Sequence, residues 1–132
     1  MLAALVGWMM ALAVGLFGRV VGLDRERAFY ATTLAVIALL YDLFAVMGGS
    51  TQALVVDSLI GAVFMTAVVV GFRRNEWIIV LGLFAHGVMD LVHWRLVANP
   101  GVPEFWPAFC SAYDVTAAAW LAAILRTRPR PS

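Results

Sequence analysis

The chain is expected to fold as an all-α integral membrane bundle of five transmembrane helices, and three observations predict it. Of its 132 residues 64% are hydrophobic and only 13% are charged, with a mean hydropathy of +0.93; a water-facing surface would need far more polar area. The apolar residues fall into five runs of 18 to 22 residues, close to the roughly 20 needed to cross a 30 Å hydrocarbon core as a helix. The runs show no alternating pattern, and an open sheet edge would leave backbone groups unsatisfied in lipid.

The first run is Met1 to Gly18 and the second Ala28 to Gly49, joined by the charged turn Asp24 to Arg27, with Asp24 expected to cap the second helix. The third is Ala53 to Phe72, entered from Gly48 to Gln52. The fourth, Trp77 to Val97, follows Arg73 to Glu76. The fifth, Trp106 to Leu125, comes after the longer connection Ala98 to Phe105 and carries Pro107 in its first turn, where a missing amide hydrogen costs nothing. Short connections predict that sequential helices are antiparallel neighbours. Residues 1–126 form the membrane domain, and 127–132 a short, disordered, basic tail.

Arginine sets the expected orientation. Lysine is absent, and Arg19, Arg25, Arg27, Arg73, Arg74, Arg126, Arg128 and Arg130 fall at the first connection, the third connection and the end of the chain, while the second connection has no charge and the fourth has only Arg95 and Glu104 near it. Five crossings put those regions on one side, the cytoplasm by the positive-inside rule, with the amino terminus outside. A cleaved signal peptide would want its basic residues before the apolar stretch, whereas Arg19 follows it. The expected location is a bacterial inner membrane. The net charge of +1 offers no basis for nucleic-acid binding, and Cys110 alone forms no intrachain disulfide.

The functional clue is a set of acids and histidines inside these apolar runs. A charge at the middle of a transmembrane helix costs about 2.5–3.5 kcal/mol, so Asp42, Asp57, Asp90 and Asp114 need partners, protons, a water-filled cavity or a metal. At 1.5 Å per residue Asp57 and His93 lie about 6 Å below the outer helix ends, Asp42 and Asp90 about 10 Å, Asp114 about 12 Å and His86 about 16 Å. All are in the outer half or at the midplane.

His86, Asp90 and His93 are spaced by four and three residues, which puts them on one helical stripe. The two histidines stand about 10 Å apart along the axis, so a single ion would use Asp90 with one of them, or the stripe would hold two metals. Cys110 and Asp114 are four apart on the fifth helix, and Tyr41, Asp42 and Asp57 are positioned to complete the shell. Imidazole with carboxylate on facing helices suits zinc, iron or manganese. The competing reading is an interhelical hydrogen-bond network of protonated or paired aspartates. Cys110 reads more simply as a small buried side chain, the tryptophans as an interfacial belt, and Gly82 and Gly87 as points of close helix approach.

The run His86-Gly-x-x-Asp90-x-x-His93, then Asn99-Pro100-x-x-Pro103, then Trp106-Pro107-x-Phe109-Cys110-x-x-Tyr113-Asp114, resembles small bacterial integral membrane proteins of an uncharacterised family. Gly22-Leu-Asp24-Arg25-x-Arg27-Ala-Phe-Tyr30 and Gly71-Phe-Arg73-Arg74-Asn75 fit it too, so the likeness covers most of the chain; it brings no assigned activity. His86-x-x-x-Asp90 and the five-helix size are also similar to sterol isomerase-like membrane proteins, which use a histidine and an acid in a lipid cavity, with glutamate where this chain has aspartate.

Three functions follow as expectations. In the first, the cluster binds a metal that acidifies a water, an aspartate (Asp114 or Asp90) takes the proton, and an ester or amide of a membrane lipid is cleaved. In the second, the chain passes protons or metal ions, although the inner half offers no matching relay. In the third it is an accessory subunit of a larger membrane complex, or a homo-oligomer, and the acid cluster has no explanation.

Overall fold

The structure, a computed structural model, describes residues 1–129, and its helices are α1 (Leu2–Val21), α2 (Ala28–Met47), α3 (Thr51–Arg73), α4 (Trp77–Leu96) and α5 (Trp106–Thr127). All five are long and apolar enough to cross a membrane, and no strand occurs among the described residues. The part of the expected tail at 130–132 lies outside the described residues; before it, Thr127 is the last residue of α5 and Arg128 bonds to Glu76.

Local chemistry explains the boundaries. Gly22 takes a left-handed φ of 90° and its amide closes α1 on the Gly18 carbonyl. Ser50 caps α3 by accepting from the Ala53 amide at 3.1 Å, and Asn75 Oδ1 accepts from the Trp77 amide at the start of α4. Asp24 does not cap α2, contrary to expectation. The turn at Gly22 leads into a single 3-10 turn, Leu23–Arg25, which places Asp24 ahead of the helix start, where it is buried 3.5 Å from Arg19.

The packing order differs from the chain order. α2 packs on α3, α3 on α4 and α4 on α5, but α1 leaves its sequence neighbour and lies along α5. Its buried face is Gly7, Ala11, Gly15 and Gly18, a stripe of small residues. A Cβ at Gly7 would run into the Phe109 carbonyl, so this glycine sets the closeness of α1 to α5. α1 and α2 consequently splay apart along much of their length.

The interior has two halves. Leu34, Ile79, Leu83 and Leu121 fill the half nearer the arginines with apolar side chains, whereas Asp57, His86, Asp90 and Asp114 are fully buried in the other. Long apolar side chains such as Leu59, Val63, Leu81 and Leu91 cover the outside, as expected where the surrounding solvent is lipid. The three arginine-bearing regions meet at one end: Arg27 donates to the Phe72 carbonyl and stands 3.6 Å from Glu76, and Arg128 reaches both Glu76 and the Asp24 carbonyl.

Candidate metal centre

Two helices supply the centre. On α4 the four-residue step stacks His86 below Asp90, and on α5 the same step stacks Cys110 with Asp114. Gly87 lets the two helices meet face to face, because a Cβ there would stand 3.2 Å from both the Asp114 Cβ and the Ser111 carbonyl. His86, Asp90, Cys110 and Asp114 converge as a result: one donor atom from each lies within 4.8 Å of the others, and all four residues are buried.

Direct contacts tie them together. His86 Nδ1 lies 2.7 Å from Asp114 Oδ2 and 3.5 Å from Asp90 Oδ2, and the Cys110 thiol donates to Asp114 Oδ2 at 3.7 Å. Tyr41 of α2 donates its hydroxyl to Asp90 Oδ1 at 2.6 Å. Asp90 Oδ2 and Asp114 Oδ1 are buried without a hydrogen-bond partner. Orphaned carboxylate oxygens of this kind are rare in folded proteins and call for a bound ion, a water or a proton.

The other expected ligands form a second unit nearer the helix ends. His93 Nε2 is 2.6 Å from Asp57 Oδ1, and Asn99 donates from Nδ2 to Asp57 Oδ2 at 2.8 Å and to the Tyr41 carbonyl at 3.1 Å. Asn99 Oδ1 in turn accepts from the Gly101 amide, so the carboxylate of Asp57 is satisfied on both oxygens. His93 and Asn99 also line a cavity of about 720 Å³ at the end of the bundle opposite the arginine cluster, where Arg95 lies in the last turn of α4, bordered by Glu104 and Ser50. The Tyr41 ring stacks on the His93 ring with centroids 3.8 Å apart and separates the two units.

Asp57 and His93 are therefore not part of the four-residue group, and neither is Asp42. Asp42 accepts from Ser58 Oγ at 3.0 Å, half exposed on the seam between α2 and α3. Depth along the axis placed these residues at one level, but depth says nothing about which way a side chain turns around its helix. Cys110, read from sequence as a plain buried side chain, is buried and belongs to the group. Sequence reasoning gave no role to Asn99. Its signals were its place in the Asn99-Pro100-x-x-Pro103 run and its being the one amide side chain in the connection between α4 and α5.

An apolar groove reaches the centre from the side. The splay of α1 from α2 leaves a cavity of about 660 Å³ floored by α5, with Met10, Val36, Phe109, Cys110 and Tyr113 among its walls. Cys110 thus faces both the groove and the buried carboxylates. Along α2 the walls run from Ala28 to Leu40, about 18 Å at the helical rise. That is on the scale of one leaflet of the roughly 30 Å hydrocarbon core.

Comparison of the chain with protein families, curated proteins and solved structures gives no match.

Proposed function

We propose that this is a multi-pass enzyme of the bacterial inner membrane that holds a divalent metal at His86, Asp90 and Cys110, with Asp114 beside it as general base, and hydrolyses an ester or amide of an apolar, lipid-like substrate. The observation that carries this reading is the convergence of four buried donors with two unpartnered carboxylate oxygens. Energetics point the same way. Each ionised aspartate deep in the membrane costs about 3 kcal/mol, while an interhelical hydrogen bond there returns about 0.6 kcal/mol and at most about 1.7. A cation supplies what hydrogen bonds alone do not.

Three protein donors, from His86, Asp90 and Cys110, suit a four-coordinate ion whose fourth position is left to water, with Asp114 alongside. Metal–ligand bonds of about 2.0–2.3 Å put tetrahedral donors roughly 3.3–3.8 Å apart, close to the spacing of donors that lie within 4.8 Å of one another. Thiolate beside imidazole favours zinc or iron over manganese. A divalent ion there supplies an acidified water, with a pKa near 7, and a Lewis acid for a carbonyl. The chain's own groups do the rest. The groove admits an apolar substrate as far as Cys110. Asp114, whose Oδ1 has no partner, takes the proton from water as its oxygen bonds to the carbonyl carbon. The carbon–oxygen or carbon–nitrogen bond then breaks, and the leaving group receives that proton.

Elemental analysis of protein purified without chelator is the test. Wild type is expected to carry near-stoichiometric zinc or iron, and His86→Ala and Asp90→Ala to lose it. Asp114→Asn should keep its melting temperature while hydrolysis of a fluorogenic lipid ester falls at least roughly a hundredfold, the scale of losing an acid–base group. A metal-free wild type would leave a hydrogen-bond network as the better account; the direct 2.7 Å contact between His86 and Asp114 is the observation that favours that second reading.

A further inference from the structure

At the arginine-bearing end, the last turns of α1 and α5 and the 3-10 turn enclose a polar cavity of about 350 Å³, lined by Arg19, Asp24, Arg25, Thr127 and Arg128 among others. It shares no lining residue with the α1–α2 groove. Arg19 from the last turn of α1, Arg25 from the 3-10 turn and Arg128 from the end of α5 line it together with one carboxylate. That carboxylate, Asp24, is buried and paired with Arg19 at 3.5 Å. Arg128 is held in place by Glu76 and the Asp24 carbonyl. Arg25 is exposed and makes no ion pair among the described residues. The lining therefore carries an excess of positive charge with a donor to spare.

We propose that this cavity is a binding site for a phosphate group, either the headgroup of an anionic phospholipid or free phosphate. Guanidinium forks match phosphate oxygens in pairs, and basic pockets between transmembrane helices on the cytoplasmic side hold phosphate headgroups. The volume is at the small end of the roughly 300–1,000 Å³ range of ligand pockets, which suits a headgroup whose chains stay in the bilayer. Another account of these arginines exists. α1 and α5 both end here, and cations near helix C-termini and at the cytoplasmic face are favourable in themselves. That account needs only charge, and any base at this end would serve it. A phosphate held by paired bonds from a guanidinium fork loses affinity when lysine replaces arginine, whereas a merely charged helix end does not distinguish the two.

The experiment uses the purified chain in neutral detergent, titrated in one arm with short-chain phosphatidylglycerol and in the other with inorganic phosphate, with binding read by calorimetry and bound lipid counted by native mass spectrometry. Saturable, one-to-one binding in either arm is expected. Arg25→Gln should weaken it about fivefold, the effect of one basic residue near an anionic headgroup, and Arg25→Lys should weaken it at unchanged net charge. Arg74→Gln, exposed at the same end but outside the cavity, should leave it unchanged. Lipid binding without phosphate binding assigns the site to a headgroup, and the reverse assigns it to free phosphate. Absence of saturable binding in both arms overturns the proposal. So does equal loss in Arg25→Gln and Arg74→Gln, or full affinity in Arg25→Lys.

Discussion

Tyr41 is the residue on which both polar units depend. Its hydroxyl occupies Asp90 Oδ1 at 2.6 Å, its ring lies against His93, and its carbonyl holds Asn99. Occupying one oxygen of Asp90 leaves Oδ2 turned toward His86, the arrangement by which outer hydrogen bonds orient a metal-binding carboxylate. Tyr41→Phe removes that hydroxyl and keeps the ring. On the metal reading, the variant should fold and bind cobalt(II) about 10–100-fold more weakly than wild type, with altered visible absorption bands. Unchanged affinity and unchanged bands would show that Tyr41 does not orient the centre. From the chain alone Tyr41 was one candidate beside Asp42. The helical rotation that sends Tyr41 inward and Asp42 toward Ser58 depends on which face of α2 meets α4, and α2 is apolar almost all round.

Among the elements, α1 departs furthest from what short connections imply. It carries no acid or histidine, yet its position creates the groove, because its small-residue face meets α5 instead of α2. Glycine at position 7 allows that contact. A leucine there has no room against the Phe109 backbone, and inserting bulk into a packed interface costs about 1–3 kcal/mol or more. Gly7→Leu should therefore lower the melting temperature in detergent by several degrees, while Ala13→Leu on the exposed side of the same helix should not. Equal melting temperatures for the two variants would mean that α1 does not depend on this contact. The glycines were legible as sites of close approach, but which partner they approach was not, since a small residue carries no mark of its neighbour.

For the whole molecule, the arginine ring at one end and the polar centre toward the other give the bundle a polarity. With the arginine end cytoplasmic, as we propose from charge bias, the His93 cavity opens to the opposite side of the membrane. An impermeant maleimide applied to intact cells should then label Ser50→Cys and Val102→Cys but not Arg74→Cys or Arg126→Cys, with Cys110 protected by burial. Labelling of both sets from one face would break the five-crossing arrangement. The opposite pattern, with only positions 74 and 126 labelled, would invert the orientation and leave the fold intact.

What the sequence by itself determined is the number of helices, their approximate bounds and the presence of costly ionisable groups in apolar surroundings, because length, hydropathy and the price of burying charge are properties of segments taken one at a time. It also determined that His86 and Asp90, and Cys110 and Asp114, share helix faces, since a four-residue step is local geometry. Tertiary structure alone decided that these two pairs meet while His93 and Asp57 pair separately, that Asp42 stands aside, and that a groove opens beside Cys110. In a chain whose helices are apolar on most faces, hydrophobic pattern does not tell one helix which side to present. Close contacts at glycines and a few polar bonds settle the rotation of each helix, and those become visible only when the neighbours are in place.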